Sequence, residues 1–147
     1  MKQGVDYPGV AVAFFCHNGK GQFVFHKRSA NTRSHWGTWD SGGGGLEFGE
    51  TLEQALEREL QEEYGCSGII EEVLSPNTFL KTDKGILEHW IIHPFIVKVN
   101  PAEVKIGEPD KMEEIGWFTL NNVPSPLHPG VEDDLKTYKE QLSKYSL

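Results

Sequence analysis

At 147 residues the chain has the length of one domain and can bury a core without help from disulfides. Its 22 acidic and 14 basic residues give a formal net charge of -8, which argues against a basic groove that tracks a nucleic-acid backbone. Residues 1–9 lack the apolar centre of a secretion signal, no apolar run approaches the roughly 18 residues of a membrane span, and Cys16 and Cys66 are too few for a disulfide framework.

One domain spanning 1–147 is therefore expected, soluble and cytoplasmic, without a membrane or a long nucleic acid as partner. The acid excess has two readings. It keeps a small protein soluble, or it gathers a divalent cation that turns repelling carboxylates into a docking site for an anion.

Residues 10–16 form a continuous apolar run, 18–21 carry turn residues, and 22–27 are largely apolar again, which predicts two buried strands joined by a tight turn. Residues 29–49 hold six glycines with Trp36 and Trp39 among them and show no periodicity, so a long functional loop is expected. Thr51 opens a helix, with Gln54 completing a capping-box pattern and Gly65 as the stop. Strands are expected at 71–75, 90–99 and 115–118. Three prolines crowd residues 121–129, a connection into a last helix marked by Val131, Leu135, Tyr138, Leu142 and Tyr145. No repeat or composition break interrupts this order, and strands, helix, strands and helix predict an α/β fold with a mixed sheet sandwiched between helices.

On a helix over 51–65, Leu52, Ala55, Leu56 and Leu60 define an inward arc, and Glu53, Gln54, Glu57 and Gln61 take the solvated side. Glu59 and Glu63 fall inside the apolar arc and Glu62 at its edge, three carboxylates that repel one another close to apolar surface unless something positive sits among them. Arg58 relieves part of the charge by pairing with Glu62. Two readings stay open here, an acidic ridge and an oxygen-only site for Mg²⁺ or Mn²⁺ rather than zinc.

Read together, Gly44, Glu50 and Arg58-Glu59-Leu60-Gln61-Glu62-Glu63-Tyr64-Gly65-Cys66 resemble the Nudix box over 44–66, with Cys66 where an aliphatic residue is usual. Residues Trp36 to Trp39, Gly43-Gly44, Leu46 to Glu50, Glu108 to Lys111 and Gly116-Trp117-Phe118 are similar to the branch that hydrolyses nucleoside triphosphates. Ser41-Gly42 departs from the apolar residue and proline usual in that place, which implies a more flexible entry to the box.

The resemblance implies a Nudix-like fold and a metal-dependent hydrolase that cuts the phosphoanhydride bond of a nucleoside diphosphate derivative. Glu59, Glu62 and Glu63 would hold Mg²⁺ or Mn²⁺ with the Gly43 carbonyl, Glu50 and Arg58 would orient the helix, and Glu108 is the candidate for the further acid, ahead of Glu113 and Glu103. Arg28 matches a position that contacts phosphate; otherwise it is an exposed strand-end arginine. Glycines at 43, 44, 45 and 49 let backbone approach metal and phosphate, Gly44 being counted as substrate-binding. Trp36, Trp39 and Trp90 either stack on a base, with Trp39 as the substrate-binding candidate, or fill core.

The six histidines show no metal-ligand spacing. The implied substrate is a nucleoside or deoxynucleoside triphosphate, released as monophosphate and pyrophosphate; ADP-ribose and nucleotide sugars are alternatives. A nucleotide-binding module without turnover and an acidic domain holding a structural cation are the competing classes. The state of association stays open between monomer and homodimer.

Overall fold

The computed structural model describes residues 1–146. Its centre is strand β1 (Gly9–His17), the apolar run of the sequence, antiparallel to β2 (Phe23–Arg28) and parallel to the long β7 (Ile86–Val99). Beyond β7 lie β5 (Gly68–Val73), against its second half, and β6 (Asn77–Asp83), against its first half. On the other flank β2 pairs with β8 (Met112–Phe118) and with the two-residue β3 (Trp39–Asp40). The sheet is therefore mixed, as the order of elements predicts.

Strands β1 and β2 are in register only at His17 and Phe23; farther back, the glycine strand β4 (Gly43–Gly45) pairs with Ala11–Ala13. The loop expected at 29–49 thus contains two short strands. Neither shows a period because one is two residues long and the other has no side chains.

Helix α1 (Leu52–Tyr64) begins at Thr51, whose hydroxyl accepts from the Gln54 amide while the Gln54 side chain accepts from Thr51, and it stops at Gly65 in a left-handed conformation (φ 62°). Its buried face meets the Val12, Phe14, Val24, Phe95 and Val97 side of the sheet. The opposite side, with Phe15, Phe23, Phe25 and Ile96, is covered by α2 (Pro129–Thr137) and α3 (Lys139–Ser143) through Val131, Tyr138 and Leu142. The last helix is broken in two at Tyr138, whose backbone (φ -106°, ψ 22°) leaves helical geometry while its side chain stays buried.

Two strand expectations change. The hairpin of β6 and the first part of β7 lies over 77–89, where the sequence reading placed no strand, turning at Lys84 and Gly85, both with positive φ. The strand expected at 71–75 runs instead over Gly68–Val73, with a register irregularity between Ile70 and Glu72. Among the described residues no helix is long and apolar enough to cross a membrane.

Helix α2 is tied to β6 by a polar knot. Asn77 Nδ2 donates to Asp134 Oδ1 at 3.1 Å and to the Tyr138 hydroxyl at 3.0 Å, and that hydroxyl donates to the Ser75 carbonyl. Burial, with the charges of Asp133 and Asp40 added, pushes the Asp134 carboxyl up to about 7. The folded state therefore holds this proton more tightly than the unfolded chain, and stability is lost as pH rises from about 4 through about 7. Asp134→Asn, which keeps an acceptor for Asn77, is expected to raise the melting temperature over the parent by more at pH 8 than at pH 5. Thermal melts at the two pH values check this, and an equal shift at both would contradict it.

Candidate active site

The capped helix α1 carries its acids on two kinds of surface. Glu59 and Glu63 are buried, at 9% and 5% exposure, whereas the Glu62 side chain is 47% exposed. The inward placement of 59 and 63 follows the helical period. Glu62, expected to share the strain close to apolar surface, instead faces solvent beside Arg58, so the strain falls on the other two.

Arg58 binds this group together. Its Nε and Nη2 donate to the two Glu50 oxygens at 2.7 and 3.0 Å, Nη2 also to the Gly45 carbonyl at 3.0 Å, and Nη1 to Glu59 Oε1 at 2.8 Å, with Glu62 Oε2 at 3.4 Å. The fork geometry of a guanidinium permits this set, which a lysine could not reproduce. Hydrogen bonding from Arg58 lowers the Glu50 carboxyl, and the same bond, against the penalty of burial, raises Arg58 further.

Burial raises Glu63 well above the usual carboxylate range, with the charges of Glu59 and Asp40 adding to it. Glu59 is raised by burial and partly restored by Arg58. Among the described residues no three His, Cys, Asp or Glu side chains already converge in metal-holding geometry. Arg58 supplies the positive charge beside them. The donor chemistry nevertheless fits a hard divalent cation: three carboxylates with a bare glycine backbone beside them.

That backbone is β4. A Cβ on Gly44 would collide with the Glu59 carboxylate, and one on Gly43 with the Val12 carbonyl. The Gly43 N–H donates to Glu63 Oε2 at 3.1 Å. The same glycines line the wall of a cavity of about 280 Å³ on the α2 side of the sheet, whose other walls include Arg28, Ser34, Phe79, Trp90, His128 and Asp134. Cavity and acids therefore meet across a strand with no side chain between them.

Arg28 lies in this cavity and is not an exposed strand end. Its Nη1 donates to Asp40 Oδ2 at 3.1 Å and its Nε to the Ser34 carbonyl at 3.0 Å. Burial opposes ionisation of Asp40, yet His128, Arg28 and His26 together hold its carboxyl well below the usual range. Burial also pushes His26 and His128 down to about 4, so at neutral pH both are uncharged and Arg28 is the cation bonded to Asp40.

Trp39 does not reach the cavity; it packs edge-on against Phe118 in the core at 5.6 Å. Trp90 does line it, but its indole is held by Gly4, Gly9 and the Arg33 guanidinium and donates to Glu88 Oε1 at 3.3 Å. Trp36 lies outside, under Lys84. Glu108 follows Gly107, whose N–H donates to the Glu63 carbonyl at 2.8 Å and whose Cα faces the Glu62 carbonyl, so the loop delivers Glu108 at the C-terminal end of α1. Glu113 pairs with Lys27 across the sheet, and Glu103 sits toward Cys66.

Sequence reasoning missed Asp40, Glu88, His128 and Asp134 as cavity residues. Glu88 is 6% exposed and takes hydrogen bonds from Ser34 Oγ at 2.6 Å and from Trp90. Its signal, a lone acid in a strand between apolar residues, was hidden with the unrecognised hairpin. Asp134 falls on the apolar arc with Val131 and Leu135, a signal that was available.

The arrangement has relatives. Residues 7–141 match the NUDIX domain family. The chain is 37% identical over 82 residues to an ADP-ribose pyrophosphatase of Methanocaldococcus jannaschii, covering 56% of this chain and 46% of that protein. It is 32% identical over 117 residues to an RNA pyrophosphohydrolase of Acinetobacter baylyi, covering 80% and 60%. The chain thus spans about half the length of the curated relatives it matches.

Among solved structures, a MutT NUDIX hydrolase from Burkholderia pseudomallei superposes with a TM-score of 0.77 at 27% identity, covering 89% of this chain and 98% of that one. A MutT protein from Methanosarcina mazei gives 0.77 at 25% identity, covering 91% and 94%. With the glycine strand, the acid helix and the flanking sheet all inside the matched span, the chain belongs to the NUDIX domain family.

Proposed function

We propose that residues 1–147 form one hydrolase domain that cuts the phosphoanhydride bond of nucleoside diphosphate derivatives, nucleoside or deoxynucleoside triphosphates first among them, giving monophosphate and pyrophosphate. The observation that carries this reading is the meeting of the cavity and the α1 acids across Gly43 and Gly44. A substrate whose nucleoside end fills the cavity would bring its phosphates to the acids over bare backbone. At about 280 Å³ the cavity is near the lower edge of the roughly 300–1,000 Å³ of small-molecule sites, which suits one nucleoside rather than two.

Asp40, Glu88 and Asp134 face Arg28 and Arg33 in the same cavity, so its walls do not supply the positive charge that a triphosphate requires. In the proposed site Glu59, Glu62 and Glu63, with the Gly43 carbonyl, would hold Mg²⁺ or Mn²⁺. Such a cation offsets phosphate charge and acidifies water when bound. Arg28, fixed by Asp40 through Nη1, turns its remaining nitrogen to a phosphate oxygen. Glu50 and Arg58 keep α1 against β4. Glu108 takes a proton from the attacking water. We further assign the chain to the cytoplasm, as a monomer or homodimer.

ADP-ribose and nucleotide sugars are the second reading, favoured by the similarity to the archaeal protein named ADP-ribose pyrophosphatase. Incubation with Mg²⁺ and a panel of triphosphates, ADP-ribose and nucleotide sugars, with products separated by chromatography, tests both. Monophosphate and pyrophosphate from a triphosphate are expected. Preferential AMP release from ADP-ribose would move the substrate to the second reading, and no product from any of them would leave only a binding module.

Hydrolysis is expected to stop on exhaustive chelation and to return with Mg²⁺ or Mn²⁺, because every proposed ligand is oxygen. Glu62→Gln should leave the metal-free melting temperature near that of the parent, since Glu62 is half-exposed and its pair with Arg58 is screened. The variant should lose most of the Mg²⁺-induced rise and at least about 10²-fold in single-turnover rate. A full rate and an intact Mg²⁺ response would make the α1 acids structural. For Glu108→Gln, steady-state kinetics should show a large fall in kcat with little change in KM; unchanged kcat would pass the role to Glu113 or Glu103.

A further inference from the structure

Ser41 and Gly42 stand where the family resemblance leads one to expect an apolar residue and a proline. Proline is impossible here: Gly42 has φ 115°, far from the -65° or so of a pyrrolidine ring, and any side chain at 42 would strike the Phe14 ring. Gly43 follows at φ 146°. Two such glycines give the unfolded segment wide conformational freedom. Yet the segment must place Gly43 against Glu63 and Gly44 against Glu59.

Hydrogen bonds supply the hold. The hydroxyl of Tyr64, wholly buried and next to Glu63 on α1, lies 3.1 Å from the Ser41 carbonyl and 2.6 Å from His26 Nδ1. A carbonyl can only accept, so the hydroxyl proton goes to Ser41 and His26 Nδ1–H donates to the phenol oxygen. His26 Nε2 lies 3.9 Å from Glu63 Oε1, beyond hydrogen-bond reach, and Glu63 Oε2 accepts from Gly43 N–H at 3.1 Å. A closed ring results, from Tyr64 to Ser41, along the backbone to Gly43, on to Glu63 and back along α1 to Tyr64, with His26 bracing the phenol from outside. The Gly42 N–H, bonded to Asp40 Oδ1, and the Gly42 carbonyl, bonded to the Phe14 N–H, pin the segment from outside.

We propose that His26 and Tyr64 are positioning residues for the cation site, holding Gly43 and Glu63 at a fixed spacing in place of the proline this chain lacks. The proposal rests on the metal-dependent reading above, since it concerns residues that support proposed ligands. Groups that orient metal ligands through hydrogen bonds typically contribute about 10–100-fold in metal affinity. A hydroxyl that merely filled the core would contribute none.

The test is Mn²⁺ binding to the full chain, followed by the electron paramagnetic resonance of free Mn²⁺, together with melting temperatures without metal. Tyr64→Phe, which removes one oxygen, should weaken Mn²⁺ binding about tenfold. The Mg²⁺ concentration for half-maximal rate should rise by a similar factor, with KM for nucleotide at saturating Mg²⁺ unchanged. His26→Leu should behave like Tyr64→Phe, and His26→Asn, which restores a donor near the Nδ1 place, should recover part of the affinity. Parent-like Mn²⁺ affinity in Tyr64→Phe, or equal loss in His26→Leu and His26→Asn, would overturn the proposal. If Tyr64→Phe does not fold, the two His26 variants decide by the same criterion. A parent chain that binds no Mn²⁺ would overturn the metal-dependent reading itself, an outcome separable from a parent that binds and a variant that binds equally well.

Discussion

Helix α1 can lie directly on strand β4 only because Gly44 carries no side chain, as β4 can lie on β1 only because Gly43 carries none, and most of the site follows from those contacts. They bring two carboxylates under the protein surface, Glu59 against the Gly44 backbone and Glu63 onto the Gly43 N–H. Carboxylates there resist ionisation, so the contacts are tolerable only with compensating charge or a shared proton. The Arg58 fork supplies the first by bonding Glu50, Glu59 and the Gly45 carbonyl at once. The helix is thus held to the glycine strand by the same arginine that offsets its acids.

The cavity depends on the same contacts from the other side. Strand β4 replaces β2 as the neighbour of β1 at Ala11–Ala13, and with no bulk on β4 the walls are completed by the loop at 33–42 and by α2. That loop is fastened at several points to the β6–β7 hairpin. The His35 N–H donates to Asp83, Ser34 Oγ to Glu88, and Arg33 lies over Trp90. His35 and Lys84, the two non-glycine residues with positive φ among those described, both sit in this clasp. Holding two side-chain-bearing residues in a left-handed conformation costs about 1–3 kcal/mol each, which surrounding contacts must offset.

How much of this was legible depends on whether a residue's role is periodic. Helix α1 was readable to the residue, because its cap, its stop and its apolar arc are local signals, and the inward places of Glu59 and Glu63 came with them. Strand β1 was readable as an unbroken apolar run with both faces covered. The β6–β7 hairpin was not, because its outer residues Leu80, Ile86 and Leu87 are apolar and exposed while Glu88 is acidic and buried, which inverts the usual alternation. The last helix read as continuous because Tyr138 keeps the helical spacing of its side chain although its backbone breaks the helix. The pairing of Arg28 with Asp40 joins strands whose register no local pattern announces.

The residues that escaped the sequence reading share a physical character. Asp40, Glu88, His128 and Asp134 are polar groups in the wall of a cavity, and periodicity gives a reason only for Asp134, on the apolar arc of α2. Each is satisfied by the fold itself: Asp40 by Arg28 and the Gly42 N–H, Glu88 by Ser34 and Trp90, His128 by the Gly130 N–H, Asp134 by Asn77. Satisfied polar groups order a cavity before any ligand arrives, since each fixes a rotamer that would otherwise have to be frozen on binding. The acids of α1 are different, because burial raises Glu59 and Glu63 both, while the Arg58 guanidinium bonds Glu59 alone of the two. The cavity is thus preorganised while the acid cluster stays electrostatically incomplete, and a cation is the class of ligand that would complete it.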